Sequence, residues 1–98
     1  MYIIRDIFYL KFGHFKDAKA LLTEAKQSGI LPQAKAFRFL SDFTGDAYRF
    51  IMEEGYDSLA DYEKALGEEL ATDEWQKWYA KFKEHVERSH REILKEIM

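Results

Sequence analysis

Residues 2–11 alternate with the two-residue period of a strand, yet both faces are largely apolar. Tyr2, Ile4, Phe8 and Leu10 share one face with Asp6, while Ile3, Ile7 and Tyr9 share the other with Arg5. A strand that is apolar on both faces is ordinarily covered on both. Gly13 ends it, and the pattern then changes to a helical period. Over residues 14–28, Phe15, Ala18, Leu21, Leu22 and Ala25 form one stripe, with Lys16, Lys19, Thr23, Glu24 and Lys26 opposite. Gly29 stands where a left-handed residue closes a helix, and Pro32 falls in the connection that follows.

Residues 35–43 and 46–54 read as a hairpin with Thr44-Gly45 as its two-residue turn, which sets Phe43 opposite Asp46. One face then carries Phe37, Phe39, Ser41 and Phe43 beside Tyr48, Phe50 and Met52, and is expected to be a core face. The other carries Ala36, Arg38, Leu40 and Asp42 beside Ala47, Arg49, Ile51 and Glu53. A slip of one residue would exchange the faces of a strand.

Ser58 followed by Asp61 resembles a capping box and opens a helix whose expected stripe is Leu59, Tyr62, Leu66 and Leu70. Thr72 or Asp73 caps a second helix, with Trp75, Trp78, Tyr79 and Phe82 on its stripe. The spacing of the two tryptophans marks them as core residues. Helix propensity alone would carry this helix to the end of the chain. The order of the earlier elements favours instead a short strand over Arg91–Ile97. Strand, helix, strand, strand, broken helix, strand is the ferredoxin-like α+β arrangement, βαββαβ, with a four-stranded antiparallel sheet.

Composition narrows the function. Ninety-eight residues suit one domain, 1–98, and eight Phe, six Tyr and two Trp are a heavy aromatic load for so small a core. Part of that load fits an interface with a second copy. The net charge of −3 carries no basic footprint for nucleic acid, and the acidic excess beyond residue 50 fits solvated helix faces. The absence of cysteine excludes disulfides, thiol nucleophiles and thiolate metal sites. Arg5 and Asp6 interrupt any signal-peptide core, and no apolar run reaches membrane-spanning length, so a cytoplasmic protein without a membrane partner is expected.

Several segments also resemble a known family: Leu10-Lys11-Phe12-Gly13-His14, Leu40 to Asp46, Tyr56 to Glu63, Thr72-Asp73-Glu74-Trp75, and Ser89 to Leu94. Together they resemble the NIPSNAP-type branch of the dimeric α/β-barrel superfamily. These motifs are caps, turns and strand ends, not catalytic signatures. The resemblance implies a homodimer in which two four-stranded sheets face each other as a barrel. Across that superfamily it implies cofactor-free monooxygenases, haem-degrading enzymes, isomerases or proteins without known activity. Tyr79 stands where the haem-degrading pattern would offer a histidine, so neither haem nor another cofactor is expected. The resemblance also leads one to expect an arginine near position 6, which holds Asp6.

The polar face of the hairpin supplies the candidate chemistry. Arg38, Asp42, Arg49 and Glu53 would line the barrel, where charges must be paired or reserved for a ligand. Two arginines suit a carboxylate, phenolate or enolate, and a buried acid could serve as a general base. Arg5 and Tyr9 could join the same lumen, or help an interface rich in Arg and aromatics. Simple ion pairing across the sheet is the competing reading. His14, His85 and His90 show no metal-ligand spacing, and no metal is expected. Phosphate-binding glycine loops and hydrolase triads are also absent. The leading functional expectation is a dimer that binds a small anionic or phenolic organic molecule in a lumen between or beneath the sheets, as a cofactor-independent monooxygenase or isomerase would. The alternative is a non-enzymatic dimerisation module. Unpaired polar groups in the lumen would favour the first, and satisfied pairs such as Arg38 with Glu53 the second.

Overall fold

A computed structural model describes residues 1–46 and 48–98. Strand β1 (Tyr2–Leu10) leads to helix α1 (Phe15–Ser28) and the hairpin β2 (Ala36–Ser41) and β3 (Arg49–Tyr56). Helices α2 (Leu59–Glu68) and α3 (Asp73–Phe82) follow, then a 3₁₀ turn (Lys83–His85) and β4 (Val86–Lys95). The strands pair antiparallel in the order β2-β3-β1-β4. This is the expected ferredoxin-like α+β sheet, with β1 and β3 central.

The helices cover the face that carries Ile4, Phe8 and Leu10 of β1 with Phe50 and Met52 of β3. Trp75, Trp78 and Phe82 descend onto that face from α3, as their spacing predicts, and Ala18, Leu22 and Ala25 come from α1. Phe82 is 1% exposed, meets Phe8 edge-on at 5.1 Å and stacks on Trp78 at the same distance. The Trp78 indole N–H donates to the Leu21 carbonyl at 2.8 Å, so its polar atom is satisfied inside the core.

Local signals set the helix ends. Gly29 closes α1 at φ 73°, where its amide satisfies carbonyls of the last turn. Ser58 Oγ accepts from the Asp61 amide at 3.1 Å, and Thr72 Oγ1 from the Trp75 amide at 3.2 Å. The stripe of α2 is rotated from the expected one. Tyr62 and Ala65 are its buried residues, whereas Leu59 and Leu66 are exposed.

The hairpin differs from its sequence reading. Arg38 pairs with Glu53, Phe39 with Met52 and Ser41 with Phe50, two residues away from the register a Thr44-Gly45 turn would impose. An even shift leaves each side chain on its expected face. The strands are joined by a longer loop because Asp42 leaves the ladder. Its carboxylate accepts from the Arg49 amide at 3.3 Å and from Arg49 Nε at 2.9 Å. Tyr48, at φ 64°, breaks the strand on the other side. Phe43, expected in the core, is therefore 101% exposed. Ala47, expected on the mixed face, lies outside the described residues. The final strand begins at Val86, five residues before the expected start, because the chain turns at Lys83–His85 instead of continuing α3.

Candidate functional site

The side of the sheet away from the helices gathers all six sequence-predicted residues. Arg5 faces Glu53 across β1–β3, and Arg38 faces it across β2–β3. Glu53 accepts from Arg5 Nε at 2.8 Å and from Arg38 Nε at 2.6 Å. Burial opposes its ionisation, but the two guanidinium bonds outweigh that and hold its carboxyl below the usual range. At the other end, Arg49 pairs with Asp42 at 2.8 Å and lies beside Tyr9, which sits opposite it in the ladder. Arg88 lies 3.7 Å over the Tyr9 ring. The six residues thus form two separate ion-paired groups, and Arg88, missed by the sequence reading, joins the second. Between them Ile7 and Ile51 pair directly, with Leu40 beyond.

The opposite face holds a different arrangement. Between the sheet and helices α2 and α3 lies a cleft of about 520 Å³. Phe8, Met52, Leu66, Leu70 and Trp75 supply its apolar wall, and Asp6, Gln76, Tyr79, Ser89 and Arg91 its polar groups. That volume falls in the range of small-molecule pockets. A space among Phe8, Leu22, Phe39 and Trp78 holds about 10 Å³, too little for a ligand.

Asp6 is 7% exposed and lies opposite Arg91 on β4, whose Nε donates to Asp6 Oδ1 at 2.5 Å. Burial is the largest single influence on Arg91 and lowers its pKa, but the hydrogen bond and charge of Asp6, with Tyr62 and Glu54, together raise it, so the guanidinium stays charged. Burial pushes the Tyr79 phenol up, keeping its hydroxyl protonated. Asp6 itself was visible in sequence as the interruption of an apolar strand face. Arg91 was not, because only the sheet register brings it to Asp6.

Beneath α2 the polar groups continue inward. Glu54 is 1% exposed, and its Oε2 accepts from the Tyr56 hydroxyl at 2.6 Å. Among the described residues, Glu54 Oε1 and the Tyr62 hydroxyl have no partner. Burial raises the pKa of Glu54 above the usual carboxylate value, despite the Tyr56 bond. His14 and His85, whose spacing in the sequence indicates no shared site, meet with their Nδ1 atoms 2.9 Å apart. His90 lies apart from them, stacked on Tyr9 at 5.8 Å.

No protein-family model and no curated protein sequence matches the chain. Solved structures do. A NIPSNAP family protein from Agrobacterium tumefaciens superposes with a TM-score of 0.82 at 22% identity, covering 96% of this chain and 90% of its own. An uncharacterised NIPSNAP domain protein from Burkholderia xenovorans gives 0.87 at 14% identity, covering 98% and 94%. An antibiotic biosynthesis monooxygenase gives 0.74 at 16% identity, each chain covered in full. The fold is therefore that shared by NIPSNAP proteins and this monooxygenase; at such identities the likeness speaks for the fold alone. No helix among the described residues is long and apolar enough to cross a membrane.

Proposed function

We propose that the chain forms a homodimer through the open face of its sheet and binds a small anionic or phenolic organic molecule in the cleft beneath α2 and α3. The observation that carries this reading is the Asp6–Arg91 pair beside the apolar wall of the cleft. The guanidinium spends one N–H on Asp6 and has others for a ligand oxygen. An aromatic body would lie against Trp75, Leu66 and Met52. This chemistry suits proton abstraction next to a carbonyl or on a phenol ring. The Asp6 carboxylate would take the proton, the bonding electron pair would move to the oxygen, and Arg91 would stabilise the resulting oxyanion. An isomerase returns that proton at another carbon; in a cofactor-independent monooxygenase the carbanion reduces dioxygen, one oxygen atom becoming bonded to the carbon and the other leaving as water, as the substrate carbon is oxidised. The second outcome is in keeping with the monooxygenase that shares the fold.

The open face favours a different role. Glu53 holds both Arg5 and Arg38, and Asp42 holds Arg49, so these charges satisfy each other. Apolar Ile3, Ile7 and Ile51 lie among them, with the exposed Leu94 of β4 opposite Ile3. A second copy would cover this surface. If only this face is functional, the protein is a dimerisation module without a ligand, and the paired state of Glu53 is the observation that favours that second reading.

Thermal-shift screening with aromatic carboxylates and phenols separates the two. The cleft reading expects stabilisation by members of this set, abolished in Leu66→Trp, which fills the cleft from a partly exposed position, and retained in Arg38→Ala. Binding that survives Leu66→Trp and is lost in Arg38→Ala would move the site to the open face.

A further inference from the structure

We propose that His14 and His85 form a binding site for a borderline divalent cation such as Zn²⁺ or Cu²⁺, remote from the cleft and independent of its ligand. The two imidazoles come from positions 71 residues apart, one at the start of α1 and one at the end of the 3₁₀ turn before β4. Their convergence is built into the backbone. The Lys11 carbonyl accepts from the His14 amide at 3.0 Å, and the Lys11 amide donates to the His85 carbonyl at 2.9 Å. A single peptide residue thus holds both histidines, and the His14 carbonyl in turn accepts from the Ala18 amide at 3.0 Å. Both rings are half-buried, which limits their rotation and leaves one side open to solvent.

The Nδ1 atoms stand 2.9 Å apart. With one ring donating, that is a hydrogen bond between the two imidazoles. Tetrahedral zinc with Zn–N bonds of about 2.0–2.1 Å needs its two nitrogens about 3.3 Å apart. A small rotation of two half-exposed rings supplies the difference. On metal binding the shared proton leaves Nδ1, and both rings carry their N–H on Nε2. No third His, Asp or Glu completes the cluster among the described residues, so water fills the remaining positions and the affinity is modest. Imidazole donors select Zn²⁺ and Cu²⁺ over Mg²⁺ and Ca²⁺, with Cu²⁺ the tighter of the first two. Occupancy would fasten the start of α1 to the α3–β4 junction.

Isothermal titration of the full chain at pH 7.5 with ZnCl₂, CuCl₂ and MgCl₂ tests this. The expected result is one Zn²⁺ or Cu²⁺ per chain, Cu²⁺ tighter, and no Mg²⁺ heat. His14→Ala and His85→Ala should each weaken Zn²⁺ by roughly tenfold or more, while His90→Ala leaves it unchanged. Circular dichroism of each variant establishes that it is folded. Absence of stoichiometric Zn²⁺ binding, or equal affinity in His14→Ala and the parent, would overturn the site and leave the contact as a hydrogen bond only.

Discussion

Asp6 and Arg91 stand directly opposite each other on β1 and β4, and Arg91 Nε donates to Asp6 Oδ1 at 2.5 Å beside the cleft. Asp6 is buried, whereas the Arg91 side chain is 48% exposed. Removal of the arginine therefore leaves a buried carboxylate without its partner. Arg91→Ala is expected to destabilise the fold by about 1–3 kcal/mol, below the cost of breaking a fully buried pair because water reaches one side. Adding Asp6→Asn should recover part of that loss. Urea denaturation of the two single variants and the double variant measures the coupling.

Two adjacent glutamates give stability opposite dependences on pH. Glu53, held ionised by Arg5 and Arg38, has a folded pKa below the ordinary 4.5. Its contribution is fully present above pH 4.5 and is lost as pH falls through the folded value. Glu54, with a raised pKa, keeps its proton longer in the folded than in the unfolded chain. Its effect on stability worsens as pH rises from 4.5 through the folded value. Across pH 3 to 7, Glu54→Gln should therefore gain stability relative to the parent as pH rises above 4.5, while the deficit of Glu53→Gln should be constant above pH 4.5 and shrink as pH falls below it. Urea midpoints across that range check both signs.

The aromatic residues divide sharply in what they contribute. Phe82→Ala should cost about 3–5 kcal/mol, because Phe82 is fully buried against Phe8 and Trp78. Phe43→Ala should change stability by less than about 0.5 kcal/mol, as expected for an exposed loop side chain. Thermal melts distinguish these cases.

If the open face is the dimer face, charge placed on it should separate the copies without unfolding them. Ile51→Glu, between Ile7 and Leu40, is expected to shift the protein from dimer to monomer in light scattering, with its circular dichroism retained. A dimer that persists would place the interface elsewhere.

The elements and their faces were legible because period, caps and breakers agreed. Gly29, Ser58 and Thr72 act where their chemistry predicts, and the Trp75–Trp78–Phe82 stripe faces the sheet. The hairpin register was not legible. Asp42 exchanges a ladder position for bonds to Arg49, and no local pattern announces that competition. Leu66 was misassigned because α2 turns Tyr62 and Ala65 to the sheet and leaves Leu66 at the cleft rim. The six candidate site residues share the expected face, but their pairing into two groups depends on the register. Arg91 beside Asp6 and His14 beside His85 are long-range contacts, which spacing along one chain cannot reveal.

Native mass spectrometry of gently purified protein tests the central claim most directly, because one spectrum reports assembly and any retained molecule. The expected species is a dimer of the 11.7 kDa chain carrying the added mass of a small organic compound. A folded monomer with no added mass would contradict both the dimer and the ligand cleft.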